Sequence, residues 1–377
     1  MYKDTWTESK KEKIIIRNII FSIIYILICG LIGFILGHFS SSFIGKDDST
    51  FSFLFKLSCV ILIFFVCFLI HVVIHEAGHL IFGLLTGYSF VSFRIGSYII
   101  VKDEGKIKLK KYNLLGTLGQ CLMAPPEMKN GKFPFILYNF GGVILNLITS
   151  ALGLLAINYL SYPLDAVVIV FIVVGFLMAL TNGIPFIPND AYNVLSIIKD
   201  KEAKKNFYLQ LRLNALQTNG IRIKDIPFET LMVDENADLS NPLNTAQKLI
   251  EYNWYLDNLN FEMAEKTIES FKSYFNKIAT IFKYEIKCER IFLELIGNCD
   301  KTLIDALFDK NLKRYIKKSK FMPNKKRLLM AYEVFYNNNK ENAKKYYEEL
   351  KQLANKYPIK GEADMELMLA NWILEKK

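Results

Sequence analysis

A chain of 377 residues, 52% hydrophobic and 22% charged with a formal net charge of +10, is long enough for two or three domains. Its six cysteines (Cys29, Cys59, Cys67, Cys121, Cys288 and Cys299) form no C-x-x-C pair, and three of them lie in apolar runs, which excludes a disulfide framework. No nucleic-acid motif accompanies the basic charge, so that charge reads as the positive-inside bias of a membrane protein and as contact with the anionic lipid of the bilayer.

About 20 apolar residues cross a bilayer as a helix. Ile19–Gly37 is the first such run, preceded by Lys10, Lys11, Lys13 and Arg17; no signal-peptide cleavage pattern follows it, so it reads as a retained anchor. Leu57–Leu85 is the second, Phe133–Leu160 the third and Ala166–Asn189 the fourth. The segments between them alternate. The N-terminal segment is basic, and Phe39–Thr50 has only Lys46. The stretch from Tyr88 to Lys132 carries Arg94, Lys102, Lys106, Lys108, Lys110, Lys111, Lys129 and Lys132, and Ser161–Asp165 carries none. This predicts four spans with both termini cytoplasmic.

Within Tyr88–Lys132, the stretches Val91–Arg94, Tyr98–Lys102 and Lys106–Lys110 read as extended, with a turn at Asp103-Glu104-Gly105, and predict a small hairpin or sheet at the membrane surface. Cys121–Glu127, with Pro125-Pro126, reads as irregular. After about residue 200 the chain is charged and its periodicity helical. Asn206–Gln217 is one expected helix, and Thr218–Asn244, with Gly220, Pro227 and Pro242, is an expected linker. Helix pairs follow, in which Phe261–Lys266 and Lys340–Lys345 occupy similar places, faintly like a tetratricopeptide array. The expected fold is thus an α-helical polytopic membrane protein with a C-terminal α-helical cytoplasmic domain. Its divisions are 1–200 (membrane domain), 201–244 (helix and linker) and 245–377 (helical repeat-like domain). The last part could bind a partner protein, gate substrate or give support.

Chemistry is signalled at His75-Glu76-Ala77-Gly78-His79. Glu76 is the only formally charged side chain from Leu57 to Leu85, and an ionisable group at bilayer depth costs about 3 kcal/mol on insertion scales. On a helix, H-E-x-x-H presents two imidazoles on one face, ready for zinc, beside a carboxylate that can act as general base. A catalytic zinc takes three protein ligands and keeps one position open. His71 extends the row, but it is about 12 Å from His79 along the helix, so one ion cannot bind all three; His71 reads as a second layer around the site, a pore-lining group or a packed polar residue. His38 and Asp165 fall at outer ends of spans. Asp190 falls at the inner end of the fourth, after Asn182-Gly183-Ile184-Pro185-Phe186-Ile187-Pro188-Asn189, whose glycine and prolines break the helix. Such backbone is tolerated at membrane depth only where it lines protein or a wet cavity. Asp190 is the preferred third ligand, with Glu104 as its rival.

These elements resemble the site-2 protease family of intramembrane zinc metalloproteases. The resemblance lies in His75-Glu76-Ala77-Gly78-His79, in Asn182-x-x-Pro185-x-x-x-x-Asp190 after a later span, and in Gly141-Gly142-Val143-Ile144-Leu145-Asn146 between them, and it covers about residues 55–200. Gly142 stands where the family has proline, and Ala191 where it usually has glycine. The resemblance implies zinc held by His75, His79 and Asp190, water activated by Glu76, and a substrate backbone or oxyanion held by Asn146 and Asn182. It implies hydrolysis of peptide bonds in a membrane-embedded protein or peptide precursor. An idle membrane scaffold that recruits partners through the helical half is the alternative; a metal transporter would need repeated intramembrane ligands. Heavy use of Ile, Lys, Asn and Phe suggests a bacterial cell membrane.

Overall fold

The computed structural model describes residues 49–376 except 104, 115 and 186–188, together with Gly30 and Gly33. The rest of the expected first span, with Cys29, His38, Lys46 and Glu104, lies outside the described residues.

Helix α1 (Thr50–Leu85, 36 residues) starts seven residues before the expected Leu57, where Ser49 caps it by accepting from the Ser52 amide. At 1.5 Å per residue it is about 54 Å long, well beyond a hydrocarbon core of about 30 Å. It ends because Gly87 adopts φ +86, which lets the Tyr88 amide return to Gly83 O and that of Gly87 to Leu84 O. The chain then turns into an antiparallel sheet of β1 (Ser89–Ile95), β2 (Tyr98–Asp103), β3 (Lys106–Lys111) and β4 (Gly119–Ala124), ordered β3-β2-β1-β4. Gly105, at φ +78, makes the β2–β3 turn. This is the expected small hairpin or sheet, with a fourth strand added. Cys121–Glu127, expected to be irregular, begins as strand β4, with Cys121 opposite Phe93. Gly, Gln, Met and Ala give β4 no strand signature of their own, and its partner lies some 30 residues earlier.

Helices α2 (Phe135–Ala156) and α3 (Leu164–Gly183) complete an apolar trio with α1. All three are long and apolar enough to cross a membrane, and only 22%, 28% and 28% of their apolar windows are buried inside the protein. Their outward apolar surface therefore suits lipid rather than a protein core. α3 stops at Gly183, short of the expected Asn189, because Pro185 cannot continue it. A short α4 (Asp190–Lys199) follows, and then α5 (Lys201–Thr218), longer than the expected Asn206–Gln217 because Asp200 caps it by accepting from the Glu202 and Ala203 amides.

The remainder is helical: α6 (Phe228–Leu231), α7 (Pro242–Asp257), α8 (Phe261–Glu269), α9 (Thr280–Ile296), α10 (Lys301–Leu307), α11 (Lys310–Lys318), α12 (Pro323–Ala331), α13 (Lys340–Ala354) and α14 (Lys360–Glu375). Thr218–Asn244, read as a linker or extended connection, packs along the core: Ile223, Leu231, Val233, Leu239 and Leu243 are buried there, and Gln247 donates to Leu231 O. Among the described residues the buried core falls into one large cluster and two small ones, around Tyr112 and Tyr357 and around Cys67 and Val174; the large one spans both halves of the chain. It runs from Tyr88, Met123 and Tyr138 beside the sheet, through Phe207 and Tyr208 of α5, to Ile373 of α14. A second tie joins the sheet to α14, where Lys360 pairs with Asp103 at 2.6 Å and Tyr357 meets Tyr112 edge to face.

Candidate metal centre

A helix turns 100° per residue, so His75 and His79 lie one above the other on α1. Their Nε2 atoms are 3.2 Å apart. Asp190 Oδ2 stands 3.0 Å from His75 Nε2 and 3.5 Å from His79 Nε2. A tetrahedral zinc with bonds of 2.0–2.1 Å separates its ligand atoms by about 3.3 Å, so this triangle has the edge lengths the ion requires.

The tautomers bear on the same question. His79 Nδ1 is 2.7 Å from Tyr138 O. A carbonyl only accepts, so His79 carries its hydrogen on Nδ1 and turns the Nε2 lone pair toward Asp190. Lone pairs and a carboxylate gathered this closely in a largely buried site repel one another unless a cation or an extra proton lies between them. Burial alone would raise the Asp190 carboxyl, but with that extra proton on an imidazole the ring's charge outweighs it and holds the group below the ordinary carboxylate range.

Asp190 reaches this position through its neighbour. Asn189 donates from Nδ2 to Thr181 O at 2.8 Å and to Ile184 O at 2.5 Å, while its Oδ1 accepts from the Tyr192 amide at 2.9 Å. One side chain thus fastens the end of α3 to the start of α4 and sets Asp190 in the first helical turn. The expected third ligand and the two histidines are brought together within 4.8 Å.

Glu76 is buried beside them at 8% exposure. Its carboxylate fills the space over Gly119, where a Cβ would stand 2.4 Å from Oε1. The glycine at the head of β4 is therefore a close approach between strand and carboxylate. The three residues and Glu76 border a cavity of about 680 Å³, walled also by residues 119–122 of β4, Asn139, Asn182 and Asn193, and Phe207 and Leu211 of α5. Arg94, counted above as a loop charge, is instead 1% exposed and donates to Gly96 O, Thr117 O and Gly119 O, holding the loop that leads into β4.

The two asparagines named by the resemblance part company. Asn182 borders the cavity, donating to Met178 O at 3.0 Å. Asn146 is fully buried and stands behind His75, between it and His71. Several residues in or behind this wall had no signal in the sequence: Tyr138, whose backbone orients His79; Asn189, which fastens Asp190; and Phe207 and Leu211, supplied by a helix assigned above to the other half of the chain.

No protein-family model, curated protein or solved structure matches the chain.

Proposed function

We propose that the chain is a zinc-dependent intramembrane metalloendopeptidase that hydrolyses a membrane-embedded protein or peptide precursor. One observation carries the reading: two imidazole nitrogens and a carboxylate oxygen form a triangle of zinc dimensions beside a buried glutamate, in a cavity at the base of apolar helices. Two nitrogens and one oxygen suit zinc better than calcium or magnesium, which take oxygen ligands. When bound, zinc supplies an acidified water and polarises a carbonyl.

The chain's own residues supply the rest. Glu76, beside the ligands, takes a proton from the attacking water and returns it to the leaving amine. A substrate helix must unwind to expose its peptide bond, and β4, an edge strand with four consecutive residues on the cavity, is suited to hold the extended segment by strand addition. Asn182, on the cavity wall, is the asparagine suited to meet the substrate backbone. Four spans in a bacterial cell membrane, with both termini cytoplasmic, would bring such a segment to the cavity, and the helical half, read as a repeat-like array, would recruit or gate.

The test uses detergent-purified protein and membrane peptides encoded beside its gene. Wild type should hold one zinc per chain and cleave its substrate, and Glu76→Gln should keep the zinc and lose the cleavage. Near-normal turnover by Glu76→Gln would remove Glu76 from the chemistry.

A further inference from the structure

His71 lies one turn before His75 on α1 and is fully buried. Its Nε2 is 2.8 Å from Phe171 O, and its Nδ1 is 3.0 Å from one end of the Asn146 amide. The other end of that amide is 3.3 Å from His75 Nδ1. A single buried amide therefore joins a histidine outside the ligand set to one inside it.

Counting donors and acceptors decides which end of the amide faces which ring, since its oxygen and nitrogen have nearly the same shape. Phe171 O only accepts, so His71 Nε2 carries a hydrogen. If the amide oxygen faced His71, Nδ1 would need a hydrogen as well. His71 would then be an imidazolium between apolar helices, with no ion pair to it among the described residues. The amide nitrogen would at the same time donate to His75 Nδ1 and force that ring's hydrogen onto Nε2, the atom aimed at Asp190. Turned by 180° on the same heavy-atom positions, the amide satisfies every group. Its nitrogen donates to a neutral His71, its oxygen accepts from His75 Nδ1–H, and the His75 Nε2 lone pair is free. Tyr138 O does the same for His79.

We infer that in the metal-bearing protein Asn146 presents its oxygen to His75 and its nitrogen to His71, making His71 a positioning residue that keeps His75 in its ligating tautomer. This rests on the metal-centre reading above. Phe171 belongs to α3, so the relay also ties the tautomer of a ligand on α1 to the packing of α3 against it. Outer partners that fix a ligating histidine in this way typically change metal affinity by about 10- to 100-fold when removed.

The experiment uses the full chain in detergent, zinc-loaded and labelled with 15N at histidine. The chain has four histidines, so each ring can be assigned from single substitutions. The expected result is a neutral His71 protonated on Nε2 and a His75 protonated on Nδ1. Zinc affinity, read by chelator competition, should fall about 10- to 100-fold in Asn146→Leu and be retained in Asn146→Asp, whose oxygens still accept from His75. A doubly protonated His71 in the zinc-loaded protein, or wild-type affinity in Asn146→Leu, would overturn the relay while leaving the metal centre standing. Wild-type protein that binds no zinc would overturn the metal-centre reading and the relay with it.

Discussion

Gly142 should be irreplaceable for metal binding yet dispensable for folding. A Cβ there would stand 2.5 Å from both Cε1 and Nδ1 of His75. Ordinary contact begins near 3.4 Å, so in Gly142→Ala the ring must retreat by about 0.9 Å, several times the tolerance of about 0.2 Å on a zinc–ligand distance. Retreat is not free, because Asn146, one turn beyond Gly142 on the same helix, bonds the same Nδ1 and that bond stretches as the ring moves away. The expected effect is a loss of zinc affinity of about 10- to 100-fold, equivalent to about 1.4–2.7 kcal/mol. Alanine favours a helix over glycine by up to about 1 kcal/mol, which offsets part of the roughly 1–3 kcal/mol that displacing a buried ring costs, so the melting temperature of the metal-free protein should fall only modestly. Gly153→Ala is the control: it lies on the same helix about 16 Å away, and the nearest atoms to its Cβ would be in aliphatic side chains, Ile172 Cγ1 at 2.8 Å and Val168 Cγ1 at 3.7 Å. Both variants are titrated with zinc against a chelator of known affinity. Wild-type affinity in Gly142→Ala, with the protein folded, would refute the claim that the His75 ring is pinned against α2.

Three further outcomes are expected. Asp190→Ala should lose tight zinc binding while the apolar helices still insert, as measured by metal analysis of the purified variant; full, equally tight zinc would transfer the third ligand to another residue, Glu104 first. Burial alone would raise the Asp103 carboxyl, but Lys360 and Lys108 outweigh it and hold it down to about 2. Its stabilising effect is therefore complete above the ordinary carboxylate value of about 3.9 and is lost as pH falls through about 2. Limited proteolysis between the sheet and α14 should increase across that window in wild type and be insensitive to it in Asp103→Asn; a variant that follows the wild-type profile would show that the pair does not fasten the two parts. Cysteines placed at Lys106 and Leu164 should label from opposite sides of the membrane, the first from the cytoplasm. Labelling of both from one side would overturn the proposed topology.

The sequence by itself determined what depends on neighbours along the chain. The apolar runs are visible because a span needs an unbroken row of apolar side chains, and α1, α2 and α3 appear within a few residues of where that rule puts them; the exceptions are the Ser49-capped start of α1 and the Pro185 stop of α3. The pairing of His75 with His79 is visible because a helix brings i and i+4 together. Asp190 could be named because it follows the glycine and prolines that break the last apolar run. What only the tertiary structure decided involves partners far apart in the chain. Strand β4 exists because β1 pairs with it, not because its own residues favour a strand. Thr218–Asn244 looked like a linker because glycine and proline mark turns, and local composition is silent about the core that buries Ile223 and Leu231. Phe207 and Leu211 reach the cavity from a helix whose sequence shows only an amphipathic stripe. Asn146 and Tyr138 orient the two histidines because α1 and α2 approach backbone to backbone at Gly78 and Gly141, where a Cβ on either would stand 2.2 or 2.5 Å from the other's carbonyl oxygen. Hydrogen bonds to the far side of a ligand are set by how helices pack, and packing is a property of pairs of surfaces that no single stretch of sequence contains.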